Sequence, residues 1–156
     1  MSKPYIHPSS YLSLRRSGIH GKGVFAKVPI PAGVRLIEYR GKRITNAEAD
    51  ATYPDDDPSK PYHTFLFAID GDVVIDAGRG GNMARWINHS CDPNCDAVID
   101  DGRVWIESTR DIAVGEELTY DYNFRLEERH TPARKKRYPC ECGSPNCRGT
   151  MLAKKR

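Results

Sequence analysis

The sequence predicts a mainly β fold with few short helices in a single domain. Short runs rich in Val, Ile, Phe and Tyr recur along the chain, and Gly, Pro and Asp separate them, a pattern typical of strands joined by turns. Helical periodicity is scarce, and the sequence has no internal repeat. With 156 residues, 38% of them hydrophobic, the chain is long enough to bury one moderate core.

Five runs are predicted as strands. In chain order they are Gly23–Ala26, Val34–Tyr39, Phe65–Ile69, Val73–Ile75 and Val104–Ile106. Turn signals stand between them at residues 29–33, 70–71 and 101–102, and the Asp-Gly pair of the last is a good hairpin signal. We therefore expect short strands joined by tight turns.

Helix is expected in two minor elements. Residues 46–50 could begin a short helix with Thr45 or Asn46 as its cap, and residues 82–87 could form one or two turns. After residue 124 the hydrophobic pattern weakens, and a charged connector leads to the last three cysteines. We therefore divide the chain into a body, residues 11–124, and a tail, residues 125–156, which together form one functional unit.

The total charge of +3 hides an asymmetry between the two parts. Residues 1–124 carry 14 basic and 18 acidic side chains, a net charge of −4, whereas residues 125–156 carry 10 basic and 3 acidic ones, a net charge of +7. An acidic body can attract a cationic peptide. The basic tail could touch nucleic acid or stay solvated, and solvation is the favoured interpretation.

The sequence gives no sign of a membrane or secretory segment. No stretch approaches the roughly 18 consecutive apolar residues of a membrane span, and the first residues lack the apolar core of a secretory signal. We therefore expect an intracellular protein that does not associate with a membrane.

Five cysteines lie in the second half of the chain, and three of them form a C-x-C-x4-C pattern over residues 140–147. In a chain without an export signal, closely spaced cysteines are more often metal ligands than disulfides. Structural zinc needs four ligands, so the fourth must be one of the two remaining thiols, Cys91 or Cys95. Free reduced thiols are the less favoured alternative.

The segment Asn88–Cys95 is crowded with Asn, His, Asp and Pro. An ordinary strand would not carry this mixture, and a buried version must satisfy many donors and acceptors. Taken alone, His89 is more readily structural than catalytic, because the chain has no G-x-S-x-G elbow of a hydrolase.

Two further signals are weak on their own. Tyr120 and Tyr122 alternate along an extended segment and so face the same way, but such a pair more often packs in a core than acts in a site. The glycine-rich turn at residues 18–23 is neither a Walker loop nor G-x-G-x-x-G, so it says little about a nucleotide-like ligand.

Together, and in this order along the chain, these pieces resemble a SET domain with its post-SET segment. The matching stretches are Gly21–Gly23, Ile37–Gly41, Arg85–Cys95, Glu117–Tyr122 and the terminal cysteines, and the resemblance covers residues 11–152. The ordered set is highly specific, although each motif alone could arise by chance. The sequence departs from the family at Trp86, where Phe is more common, and it lacks the cysteine-rich pre-SET region of some relatives.

The resemblance implies a β-clip fold of several small sheets, with a knot-like core and a zinc-bound tail. The body would be the SET domain, and the tail a linker with the post-SET segment. One structural zinc ion would be held by Cys91, Cys140, Cys142 and Cys147. Cys95 would then be a spare thiol.

The resemblance also implies a protein-lysine N-methyltransferase that uses S-adenosylmethionine. The cofactor would be held by His20, Gly21, Lys22, Gly23, Phe65, Asn88, His89 and Glu141. At position 65 many members of the family have Tyr, so any hydroxyl contact made there is missing.

The lysine channel implied by the resemblance is aromatic. Tyr39, Trp86, Tyr120 and Tyr122 would line it, and Tyr122 would be the central catalytic tyrosine, with Tyr39 and Tyr120 beside it. A sulfonium methyl group is already activated, so the protein must mainly align a neutral amine with it. Lysine has a pKa of about 10.4, and an aromatic channel beside a cationic sulfonium disfavours the ammonium form. The hydroxyl of Tyr120 restricts room for a methylated amine, which implies monomethylation or dimethylation.

Two other interpretations remain open from the sequence. A non-catalytic, zinc-stapled module could grip basic peptides or nucleic acid without a cofactor, although the presence of Asn88, His89 and Tyr122 argues against a degenerate relative. An active enzyme could methylate a histone tail or another lysine-containing protein. It would act in the cytoplasm of a bacterium, or on chromatin in the nucleus of a eukaryote or of a host.

Overall fold

The computed structural model describes residues 11–19, 21–52, 66–70, 73–122, 132, 135, 140, 142, 144, 145 and 147–151. Across these residues, ten strands form four small sheets, accompanied by a short α-helix and a 3₁₀ helix. The prediction of a mainly β fold built from several small sheets is therefore confirmed.

In chain order the elements are β1 (Leu12–Arg16), β2 (Lys22–Ala26), β3 (Arg35–Glu38), β4 (Lys42–Ile44), α1 (Asn46–Thr52), β5 (Leu66–Asp70), β6 (Val73–Asp76), the 3₁₀ helix (Met83–Trp86), β7 (Asn88–His89), β8 (Cys95–Asp100), β9 (Arg103–Ser108) and β10 (Thr119–Tyr120). Each of the five predicted strands overlaps one of these. The predicted strands omit β1, β4 and β8, because basic residues or aspartates interrupt their apolar pattern. They also omit β7 and β10, which at two residues each are too short to show a strand pattern.

The hairpins β1–β2 and β8–β9 frame the two ends of the body. In the first, Arg16 pairs with Lys22 across the glycine-rich turn. In the second, the predicted turn is present: φ is 52° at Asp101 and 75° at Gly102. Positive φ at both turn residues is the signature of a type I′ turn, whose twist matches that of the flanking strands. Strand β9 also pairs with β3, giving the sheet order β3-β9-β8.

The third sheet, with order β4-β6-β5, carries α1 beside it. Thr45 begins the helix with a capping box, because its Oγ1 accepts the Glu48 N–H at 3.1 Å while Glu48 Oε1 accepts the Thr45 N–H at 3.4 Å. Of the two predicted caps, Thr45 is therefore the one used.

The centre of the body is a two-residue parallel pairing of β7 with β10, in which Asn88 lies opposite Thr119 and His89 opposite Tyr120. Asn94 is 1% exposed and closes this pairing. Its Nδ2 donates to the Glu117 carbonyl oxygen at 2.8 Å, and its Oδ1 accepts the Thr119 N–H at 2.9 Å. The polar segment after the 3₁₀ helix is thus buried with its hydrogen bonds satisfied.

Apolar side chains from all parts of the body pack around this pairing. Val24, Leu36, Val104 and Leu118 are fully buried, and burying one such side chain contributes about 1.5–3 kcal/mol. The predicted helix over residues 82–87 is a single 3₁₀ turn capped by Asn82. It ends at Ile87, whose extended backbone leads directly into β7.

Candidate active site and cysteine cluster

Four aromatic side chains form a continuous chain of ring contacts. The ring centroids lie 5.3 Å apart for Tyr39 and Phe67, 6.4 Å for Phe67 and Tyr120, and 4.8 Å for Tyr120 and Tyr122. Strands β3, β5 and β10 or the residues just after them supply these side chains. The structure thus brings together three of the four predicted channel residues, joined by Phe67, which sequence reasoning missed. We call this group the aromatic cluster.

Two hydrogen bonds fix Tyr122 against the segment around β7. Its hydroxyl donates to the Ile87 carbonyl oxygen, and its backbone N–H donates to His89 Nδ1 at 3.0 Å. The His89 ring also lies edge-on to the Tyr122 ring, at 5.3 Å between centroids. Because Ile87 takes the hydroxyl hydrogen, the Tyr122 oxygen can act only as an acceptor toward any further group.

The tyrosines of the cluster are neutral over the physiological range. Burial raises the pKa of Tyr39, Tyr120 and Tyr122 above the ordinary tyrosine value. Phenolate is therefore not available at neutral pH, and these hydroxyls can position a group but cannot serve as ionised bases.

His89 is also neutral. Burial lowers its pKa to about 4, against the opposing effect of Asp121. Because Nδ1 accepts the Tyr122 N–H, the ring hydrogen is assigned to Nε2, which lies 3.5 Å from Cys91 Sγ. Asp121 Oδ1 lies 3.6 Å from Nδ1, but a neutral ring forms no ion pair with it. His89 therefore contacts both Tyr122 and Cys91 as an uncharged ring.

The glycine-rich turn is joined to β7 through side-chain hydrogen bonds. Asn88 Nδ2 donates to the Lys22 carbonyl oxygen at 3.0 Å and to Glu117 Oε2 at 2.8 Å. A Cβ atom at Gly23 would lie 2.3 Å from that same carboxylate oxygen, so any larger residue there would displace the Glu117 side chain. Three predicted cofactor residues, Gly23, Lys22 and Asn88, are thus brought together by Glu117, which was not predicted.

Trp86 lies beside the same turn. Lys22 Nζ is 5.3 Å from its ring centroid and Arg85 Cζ is 5.0 Å from it, distances at which cations are attracted to an aromatic ring. Although Trp86 was predicted as a channel residue, its contacts with Lys22 place it next to the predicted cofactor residues.

Four thiols converge where the tail meets the body. The Sγ atoms of Cys91, Cys140, Cys142 and Cys147 all lie within 4.8 Å of one another, and Cys91 Sγ is 3.7 Å from Cys140 Sγ. Four sulfur ligands at about 2.3 Å from a tetrahedral zinc ion would be about 3.8 Å apart. The cluster is therefore compatible with a metal ion.

Backbone N–H groups point at two of the four thiols. The Arg148 N–H lies 3.3 Å from Cys91 Sγ, and the Gly149 N–H lies 3.4 Å from Cys147 Sγ. The thiols differ in their pKa: burial raises the pKa of Cys91 and of Cys140. At Cys142 burial also acts to raise the pKa, but hydrogen bonds with Ser144 and with the neighbouring cysteines outweigh it and lower the pKa to about 5. Thiolates are the form that binds metals, so the donor set fits a divalent cation.

Cys95 lies apart from this cluster, at the start of β8, and is 2% exposed. Burial raises its pKa to about 12, which makes it an unreactive thiol at neutral pH.

A direct ion pair also joins tail and body. Arg148 donates from Nη1 to Asp121 Oδ2 at 2.8 Å and from Nη2 to Asp121 Oδ1 at 3.1 Å. This two-pronged geometry is the strong form of an arginine–carboxylate pair. Asp121 stands between the two clustered tyrosines in sequence, so the contact places the tail next to the aromatic cluster.

A cavity of about 390 Å³ opens beside Tyr39. Three arginines, Arg40, Arg43 and Arg103, contribute to its lining, against the single carboxylate of Glu38. Since Glu38 already accepts a hydrogen bond from Arg40 at 3.1 Å, the cavity is positively charged. Its described lining would repel a lysine side chain.

Three predicted cofactor residues, His20, Phe65 and Glu141, lie outside the described residues. Of the two side chains that sequence reasoning missed, Phe67 had a usable signal. It lies two positions after Phe65 in the run predicted as a strand, where alternate residues are expected on one face. Glu117 begins one of the stretches that resemble the family, but its role had no signal, because the residues that it joins are distant in sequence.

Comparison with known proteins gives the family. Residues 21–123 match the family model described as SET domain. That span is about two thirds of the chain, so the chain belongs to the SET domain family. The resemblance inferred from the ordered motifs is confirmed.

The relatives are named as histone-lysine N-methyltransferases. The one described as H3 lysine-4 specific from Eremothecium gossypii is 44% identical over 144 residues, covering 90% of this chain and 14% of the relative. SETD1B of Homo sapiens is 42% identical over 147 residues, covering 90% of this chain and 7% of the relative. SETD1 of Drosophila melanogaster is 40% identical over 144 residues, with 90% and 8% covered. The chain therefore corresponds to about a tenth of the length of these relatives.

Among the described residues, no helix combines the length and the apolar character needed to cross a membrane.

Proposed function

We propose that this chain is a catalytic protein-lysine N-methyltransferase unit that transfers a methyl group from S-adenosylmethionine to the ε-amine of a lysine. The observation that carries the proposal is the position of β7. Its Asn88 contacts the glycine-rich turn, and its His89 contacts both Tyr122 and Cys91. A cofactor turn, an aromatic channel and a cysteine-bound tail would therefore meet at one place, with the body as the SET domain and the tail as the linker and post-SET segment.

The aromatic cluster would receive the lysine side chain. Its buried, neutral hydroxyls disfavour an ammonium ion, and none of them is an ionised base. The amine must therefore lose its proton to solvent before the transfer. The Tyr122 oxygen would then orient the amine and the methyl group through N–H···O and C–H···O contacts, because its own hydrogen is held by Ile87.

The number of methyl groups added would be limited by Tyr120. Its ring is 4.8 Å from that of Tyr122, and its hydroxyl restricts the space beside the amine. We propose mainly monomethylation, extending to dimethylation.

The cofactor would be held by the residues brought together at the glycine-rich turn, Lys22, Gly23 and Asn88, with Gly21, His20, His89, Phe65 and Glu141 as further proposed contacts. S-adenosylmethionine supplies an activated methyl group on a cationic sulfonium. The missing Cβ at Gly23 lets the turn backbone approach the Glu117 carboxylate, and Trp86 would form a wall beside Lys22.

The four-thiol cluster would hold one structural zinc ion. The sulfur distances fit tetrahedral zinc, and four thiolates leave no open position for water. The metal would therefore have no catalytic role and would fix the tail over the body. Cys95 would stay an unliganded core thiol.

The substrate would be a lysine in a basic peptide, and the relatives' names make a histone tail the first candidate. The acidic body, with a net charge of −4 over residues 1–124, favours a cationic peptide. Chromatin would then be the place of action in a nucleus. Nucleic acid contact through the basic tail carries no support from the described residues.

The proposal is tested by incubating the chain with radiolabelled S-adenosylmethionine, a histone panel and an H3 N-terminal peptide. We expect label on a lysine, and mass spectrometry should find mainly the monomethyl product with some dimethyl product.

Tyr122→Phe should lower turnover about a hundredfold, because orientation of the amine is lost, while thermal unfolding and cofactor binding check that this variant is folded. Binding of histone peptide without cofactor binding would instead favour the non-catalytic module. Rapid trimethylation would refute the role given to Tyr120.

A further inference from the structure

The side chain of Glu117 joins two distant segments at the glycine-rich turn. Its two carboxylate oxygens each lie 2.8 Å from Ser17 Oγ, and Oε2 also accepts a hydrogen bond from Asn88 Nδ2 at 2.8 Å. Ser17 is 100 residues away in sequence and Asn88 is 29 residues away. One carboxylate therefore bridges the beginning of the turn to β7.

The same contacts set the shape of the turn. Ser17 Oγ accepts the Ile19 N–H at 2.9 Å, and the Ser17 N–H donates to the Gly21 carbonyl oxygen at 2.7 Å. At the far end, Gly23 packs directly on the carboxylate. The backbone of Glu117 is held in turn by β2, since it forms an isolated bridge with Phe25. The carboxylate is thus fixed beside β2 and contacts both ends of the turn.

Glu117 also fixes the orientation of the Asn88 amide. Asn88 Nδ2 has two hydrogens, and its partners are the Lys22 carbonyl oxygen and Glu117 Oε2. Both partners are acceptors, so the nitrogen end must face the turn and the oxygen end must face away from it. A glutamine at position 117 could donate as well as accept, so the constraint on the amide would be weaker and would rest on the Lys22 carbonyl oxygen alone.

We propose that Glu117 is a positioning residue for cofactor binding, acting through Ser17 and Asn88 and not through the transferred methyl group. This inference rests on the proposed function, because it takes the turn and Asn88 to be the cofactor site. It assigns to the carboxylate an effect on cofactor affinity that is separate from lysine binding and from the chemical step at Tyr122.

The test compares Glu117→Gln with the wild type by calorimetric titration with S-adenosylmethionine and by steady-state kinetics. Loss of hydrogen bonds to a charged acceptor should weaken cofactor binding about tenfold. We expect the KM for cofactor to rise in parallel, while the KM for peptide and kcat at saturating cofactor stay within about twofold. A purely structural defect would lower the unfolding temperature and kcat together.

Glu116→Gln is the matched control, because it removes the same charge one residue earlier. Glu116 contacts Asn94 Nδ2 at 2.8 Å and the Ala113 N–H at 3.2 Å, so cofactor affinity should stay within about twofold. Ser17→Ala should weaken binding about threefold, and the double variant Ser17→Ala/Glu117→Gln should lose less than the two separate effects combined, because both changes break one network.

The outcomes separate the two proposals. A wild-type chain that binds no cofactor overturns the proposed function, and this inference with it. A wild type that binds cofactor, beside a folded Glu117→Gln with unchanged affinity, overturns only the inference. If Glu117→Gln does not fold, Ser17→Ala decides, and unchanged cofactor affinity in that variant equally overturns the role given to the network.

Discussion

The β7–β10 pairing and the four-thiol cluster are adjacent in the molecule but are held together differently. The pairing is surrounded by fully buried side chains, and its polar groups bond to one another, as Asn94 does with Thr119 and Glu117. The cluster is only half-buried. The contacts described there are mainly those of the thiols themselves, together with Arg148 and a few backbone groups.

One site can therefore combine a core that is held by burial with a tail whose position depends on a bound metal ion. Burial and internal hydrogen bonds fix Tyr122 and His89 whether or not the tail is in place. We expect the position of the tail to depend on a metal ion held by its thiols, because metal binding is coupled to the folding of the segments that supply the ligands. We therefore expect the two regions to respond differently to metal removal, to pH and to substitution.

Metal removal should give the largest effect. A strong zinc chelator should release one zinc per chain, and methyltransferase activity should fall by about a hundredfold or more, because the tail loses its attachment. The strands of the body should remain, so hydrogen exchange should rise at residues 140–151 and stay low at β7 and β10. Metal analysis, activity and exchange are measured on the same sample.

Two substitutions provide the matched comparison for this experiment. Cys147→Ser removes a thiol of the cluster and should reproduce the effect of the chelator. Cys95→Ala removes the buried thiol outside the cluster and should leave the zinc content at one per chain. Full activity after complete zinc loss would mean that the tail does not depend on the metal.

Most segments of this site were predicted from the sequence, because the family motifs occur along the chain in their usual order. The Asp101-Gly102 pair identified the β8–β9 hairpin, because few residue pairs adopt positive φ at both turn positions. Of the aromatic cluster, the sequence predicted Tyr39, Tyr120 and Tyr122 but not Phe67, because the family resemblance pointed to Phe65 two positions earlier. Glu117 could not be found, because its role arises only when a residue 100 positions away packs against it.

Alkaline pH should act mainly on the body. The unfolded chain loses tyrosine protons above a pKa of about 10, whereas burial raises the pKa of Tyr39, Tyr120 and Tyr122 in the folded chain. Their contribution is thus fully present below about pH 10 and is lost as pH rises further. The free energy of unfolding should fall by up to about 1.4 kcal/mol per pH unit for each tyrosine.

Tyr120→Phe tests this assignment, because it removes one of the three groups. Denaturant unfolding between neutral and strongly alkaline pH should give a shallower decline for the variant than for the wild type. Zinc–thiolate bonds are not weakened by base, since protons compete with the metal only at low pH, so the zinc content should stay constant over the range in which the body loses stability. Equal declines for the two proteins would show that Tyr120 is not protected from ionisation.

The smallest effect is expected at the ion pair between tail and body. Arg148→Lys keeps the charge but loses the two-pronged contact with Asp121, which is partly buried on both sides. We expect zinc to be released to a chromogenic chelator about fivefold to thirtyfold faster, since a charged hydrogen bond of this kind contributes about 1–2 kcal/mol. Arg110→Lys is the control, because Arg110 lies 3.9 Å from Asp92 in an exposed pair of the kind that contributes little. If both variants released zinc at the wild-type rate, the ion pair would not contribute to holding the tail. The tail would then be held by its thiols alone, in contrast to the β7–β10 pairing, which is held by burial and hydrogen bonds.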